Sequence, residues 1–151
     1  MRGLPPSLRA LPKPRVIIPI SGVHRGVIEA LRYAESISGD TKAVYVETDG
    51  GTAGRMLQDW ERWGFQAPLE IVPSPYRSII GPILDFIDAE DARHNDGQLA
   101  TIVLPEFVPA RWWQVLLHNQ TAFLLKLALL YRKRRLGHVR AIVDIPYYLR
   151  E

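Results

Sequence analysis

Four times along this chain a short, mostly apolar run gives way to residues spaced for an amphipathic helix, and few folds accommodate that alternation. Val16–Ile20 (V-I-I-P-I) reads as a strand covered on both faces. Val23, Val27, Ala30, Leu31, Ala34 and Ile37 then recur at helical spacing, with an end near Gly39. Lys42–Glu47 is a second strand, followed by the turn Asp49-Gly50-Gly51. Thr52 is the expected N-cap of a helix that runs through Met56, Trp60 and Trp63 and stops at Gly64. Leu69–Pro73 is a third strand. Ser74 and Pro75 have N-cap and N1 character and open a helix with Ile79, Ile80, Ile83, Leu84 and Ile87 on its apolar face. Pro82 within it predicts a kink or a late start. After the loop His94–Gly97, a fourth strand, Leu99–Leu104, breaks at Pro105. A fourth helix is expected from about Asn119 to Tyr131 and a fifth strand within Val139–Ile145. Strands alternating with helices specify an α/β fold, here a five-stranded parallel sheet in a three-layer α/β/α sandwich.

With 151 residues, 47% of them apolar, one such domain uses the whole chain. It spans residues 15–151, because residues 1–14 carry four prolines and read as an extended linker. Cysteine is absent, which excludes disulfides and any thiolate nucleophile or ligand. No signal peptide is recognisable, and the longest apolar stretch, Ala122–Leu130 interrupted by Lys126, is too short to span a bilayer, so the expectation is a soluble domain. The net charge of +3 suggests nucleic acid, but its distribution argues otherwise. Arg2, Arg9, Lys13 and Arg15 face no acid in the first 15 residues, leaving 15 basic against 16 acidic groups in the rest. A near-neutral domain is no nucleic-acid binder. The basic run Arg132–Arg135 suits a helix C-terminus or, alternatively, anionic lipid headgroups.

In an open α/β sheet the carboxyl ends of the strands form the ligand-binding rim. Here that rim should collect Ser21, His24 and Arg25 after strand one, and Glu47 and Thr48 after strand two. Ser74, Tyr76 and Arg77 follow strand three; Glu106 and Arg111 follow strand four; His118, Asn119 and Thr121 open the next helix. Ser21, His24, Arg25, Ser74, Arg77, His118, Asn119 and Thr121 are the candidate ligand-binding residues, helix N-termini there offering free N–H groups to an anion. The competing reading makes Ser21, Ser74 and Asn119 plain helix caps. No G-x-S-x-G elbow surrounds either serine, so no catalysis and no catalytic residue is expected. No metal motif occurs either, and the acids of Asp85–Asp91 read as a solvated helix end. Trp112 and Trp113 point about 100° apart on a helix, so both cannot face one core. Trp112 shares a face with Val115 and Leu116, which leaves Trp113, beside Arg111, as a partner contact.

Three segments carry a resemblance: Gly22–Ala34 (G-V-H-R-G-V-I-E-A-L-R-Y-A), Ser74–Ser78 (S-P-Y-R-S) and Thr101–Lys126. Together they resemble the cytosolic C-terminal domain of bacterial APC-superfamily permeases, importers of amino acids and potassium, over roughly residues 15–145. That domain is similar to the universal stress protein fold. The resemblance implies the strand order 3-2-1-4-5 and a regulatory or dimer-forming role on the cytoplasmic side of the membrane. It also implies a transmembrane permease domain in the same chain as partner, pairing of two copies through strand five, and a cyclic dinucleotide as possible ligand. Nucleotide-binding universal stress proteins carry an Asp after strand one and a glycine-rich segment after strand four. Ser21 and the bulky P-E-F-V-P-A-R-W-W stand there instead, so ATP is not expected and no cofactor is implied; the alternative reading is a stand-alone universal stress protein that binds ATP or a cyclic dinucleotide.

Overall fold

The all-parallel sheet has the order β3-β2-β1-β4-β5, built from β1 (Val16–Ile20), β2 (Thr41–Glu47), β3 (Leu69–Pro73), β4 (Thr101–Val108) and β5 (Ile142–Tyr148). Three helices connect the first four strands: α1 (Arg25–Ile37), α2 (Thr52–Trp63) and α3 (Ile80–His94). The computed structural model describes residues 13–48, 50–74, 79–94, 98–108 and 140–148. The expected linker up to residue 12 and the expected fourth helix lie outside the described residues.

The two faces of the sheet have separate cores. On one, Val27, Ala30, Leu31 and Ala34 of α1 and Met56 and Trp60 of α2 pack with Val16, Ile18, Ile20, Ala43 and Val103. On the other, Ile83 and Ile87 of α3 pack with Ile17, Val44, Val46, Ile102 and Leu104. Helices on both faces make the expected three layers. β1 is buried at all five positions, as a central strand demands. Several boundaries differ from the sequence reading, among them that of β5, expected within Val139–Ile145 and running on to Tyr148. Gly51, at φ 96°, holds the N-cap position of α2, which makes Thr52 its first helical residue. α3 starts at Ile80, so Ser74 does not cap it; Pro82 falls in the first turn, where its missing N–H has no intrahelical partner to lose. β4 does not break at Pro105 but continues to Val108.

The hydrogen-bond alternation of a parallel ladder explains that continuation. Thr101 N donates to Arg15 O and Ile102 N to Ala141 O, so odd-numbered residues of β4 face β1 and even-numbered ones face β5. Pro105 therefore lacks a donor only toward β1, and the β4–β5 ladder runs on unharmed through Val108 and Tyr148. By the same alternation Pro73 in β3 and Pro146 in β5 lose donors only on the outer edges of the sheet, where proline is tolerated.

Candidate functional site

The strand order reverses between β1 and β4, the topological switch point at which open α/β sheets bind ligands. Ser21 follows β1 and is exposed. It does not cap α1. His24 does, in extended conformation, its Nδ1 accepting from Gly26 N at 3.1 Å. Partial burial lowers the His24 pKa below the ordinary 6.5, so the imidazole is neutral and free to accept that bond. Arg25, the first residue of α1, is exposed beside it.

The neighbouring helix start is also occupied by the chain itself. Glu47 ends β2, and its Oε2 accepts from Ala53 N at 2.6 Å, setting a carboxylate on the positive end of α2. Tyr45 Oη donates to Thr52 Oγ1 at 3.2 Å across the same turn. Ser74, only 4% exposed, is held where its N–H donates to Glu47 O at 2.9 Å. The rim thus gathers Ser21, His24, Arg25, Glu47 and Ser74 on the β1–β2–β3 side, and the N-termini of α1 and α2 each already receive an acceptor from the chain itself. Of the other candidates, Arg77, Arg111, Trp113, His118, Asn119 and Thr121 lie outside the described residues.

The opposite end of the sheet holds what the sequence reading missed. Of the acids in Asp85–Asp91 read as a solvated helix end, Asp85 and Asp88 are exposed, but Glu90 and Asp91 keep only 12% and 10% of their side-chain surface exposed. Asp91 Oδ2 meets Arg140 Nη2 at 2.6 Å, while its Oδ1 accepts from Ala100 N at 2.8 Å and lies 3.4 Å from Arg15 Nη2. Each arginine spends a second bond on the chain leading into β4, Arg15 on Gln98 O at 2.7 Å and Arg140 on Ala100 O at 2.8 Å. Glu90 meets Lys42 at 3.3 Å and Arg93 at 2.7 Å. This clamp joins the end of α3 to the entries of β1, β4 and β5. Every acid in it is paired with a cation, and among the described residues no group of three metal-binding side chains converges. No described helix is long and apolar enough to cross a membrane.

Residues 12–146 match the family model of the KimA potassium transporter C-terminal domain. The chain is similar to the potassium transporter KimA of Bacillus subtilis (strain 168), with 31% identity over 137 residues, 90% of this chain and 22% of that protein. It spans about a fifth of the length of that relative.

Proposed function

The chain belongs to the family of KimA potassium transporter C-terminal domains, and we propose on that footing that it is the regulatory domain of a potassium transporter. The observation that carries this reading is the continuous family match from residue 12 to residue 146, which takes in β1 to β4 whole and β5 as far as Pro146. In this reading the cargo is potassium rather than an amino acid, and the domain does no chemistry of its own. Its partners are a membrane-embedded part of the same transporter, of APC type, and a second copy of itself. It lies on the cytoplasmic face, and its layered sheet is used as in universal stress proteins, to hold a regulator at the switch point. Deleting residues 15–151 from the longer transporter should leave potassium uptake in place and abolish its regulation. Uptake that keeps its full response without the domain would overturn the reading.

We propose a cyclic dinucleotide rather than ATP as the ligand of this rim. Ser21 stands where an acid would hold a nucleotide, and His24 and Glu47 already cap the helix N-termini that would otherwise face a triphosphate. Millimolar Mg-ATP should leave the melting temperature unchanged, whereas cyclic di-AMP should raise it. The reverse pattern would sink this assignment while leaving the transporter reading untouched.

A further inference from the structure

Proline appears once in each of β1, β3, β4 and β5, always in the carboxyl half of the strand: Pro19, Pro73, Pro105 and Pro146. Two of the four turn to the outer edges of the sheet. The other two face each other. Val16 N donates to Asp40 O on the β2 side, so Ile17 and Pro19 turn toward β4, while Thr101, Val103 and Pro105 turn toward β1. In that register Val103 O would accept from residue 19 and Pro19 O from residue 105. Both donors are proline nitrogens. The β1–β4 register accordingly stops after Val16–Thr101 and Ile17–Ile102, while β1–β2 pairs along all five residues of β1.

Above Ile17 the seam is therefore held by side chains alone. Ile18 and Val103 are fully buried under α1 on one face, and Ile102 and Leu104 pack against α3 on the other. Such packing is non-directional and tolerates a small shear that a hydrogen-bond ladder resists. Below Ile17 the opposite holds: Asp91 ties Arg15 to Arg140 and to the entry of β4, with directional charge-assisted bonds at both ends of the seam's base.

We propose that the sheet is built to part at the β1–β4 seam, with β1–β2–β3 as one leaf, β4–β5 as the other, and the Arg15–Asp91–Arg140 clamp as the hinge at its base. The movement opens the switch-point crevice between Ser21 and the end of β4. It is a property of the sheet, independent of what binds the rim or which transporter carries it.

Native-state hydrogen exchange read by NMR on this chain tests it amide by amide. Within β4, Val103 N–H faces the seam and Leu104 N–H faces β5; within β1, Ile17 faces the seam and Ile18 faces β2. Val103 and Ile17 should exchange about tenfold faster than Leu104 and Ile18, because local opening frees only the seam-facing pair. Pro19→Val with Pro105→Val supplies both missing donors and should bring the two rates in each strand together. Should the double variant not fold, Pro105→Val alone restores the bond to Pro19 O and should narrow the difference in β4. Arg140→Met cuts the base, so that Thr101 joins the fast-exchanging set. Equal protection of Val103 and Leu104 in the unaltered chain, or a difference indifferent to both proline replacements, overturns the seam. Thr101 unmoved by Arg140→Met overturns the hinge.

Discussion

Asp91 and His24 show at the level of single residues how position decides what a polar group does. Asp91 sits between two arginines that are 76 and 49 residues away in sequence, all three side chains nearly buried. That distance explains why local pattern hid it: an acid at a helix end is ordinarily solvated, and only the sheet topology brings Arg15 and Arg140 to it. Removing one partner of a buried ionic group leaves the others uncompensated, so Asp91→Asn should cost about 3 kcal/mol in a urea titration. Thr41 Oγ1 is the opposite case, a buried hydroxyl with no hydrogen-bond partner among the described residues. Thr41→Val removes that unmet acceptor in a shape of the same branching and should raise stability by about 1 kcal/mol. His24 gives a pH dependence whose sign follows from its lowered pKa. The folded chain binds this proton less readily than the unfolded one, so the contribution is complete above 6.5 and is lost as pH falls from there through the lowered folded value. Protonation also takes away the Nδ1 acceptor and puts a cation at a helix N-terminus. His24→Asn keeps an N-cap without the titration. The urea midpoint of the unaltered chain should therefore fall further between pH 7.5 and pH 5.5 than that of the variant, and equal falls would show that the cap does not titrate.

Among the elements, sequence reading succeeded where periodicity and burial coincide. β1, β2 and β3 lie where continuous apolar runs placed them, and Gly64 ends α2 as expected. It failed where a residue's direction mattered more than its type: Pro105 reads as a strand breaker until the ladder shows that its nitrogen faces only β1. The rim was legible in outline, since the strand ends were, but not its occupants; histidine is an uncommon cap, and nothing local marks Glu47 as reaching Ala53. The two glycines of α2 make opposite predictions. Gly64 caps the helix at φ 71°, a conformation that strains any residue with a Cβ, although no neighbour would touch that atom. Gly64→Ala should cost about 1 kcal/mol. Gly54 lies in the first turn of α2 with equally open surroundings, where Ala forms helix better. Gly54→Ala should add about 0.5 kcal/mol. Denaturation curves of the pair separate backbone strain from crowding, because only strain gives opposite signs at two uncrowded sites.

For the molecule as a whole, the unresolved balance lies at the two outer edges of the sheet. β3 is short, ends at Pro73, and spends Glu70 on Lys42 at 3.6 Å, so it offers little to a pairing strand. β5 is longer, and the backbone N–H of Ile142 turns outward before Pro146 interrupts that edge. We expect two copies to meet there across a two-fold axis, with apolar residues of β5 such as Ile142 and Val143, both half-buried, at the contact. Ile142→Pro tests that edge. Residue 142 turns its N–H away from β4, so proline removes an outward donor and leaves the β4–β5 ladder whole. Sedimentation at micromolar concentration should give a dimer for the unaltered chain and a 17.2 kDa species for the variant, with the same circular dichroism. A dimer that survives Ile142→Pro must be built on another surface, and a monomer in both would mean that the β5 edge is protected without a second copy.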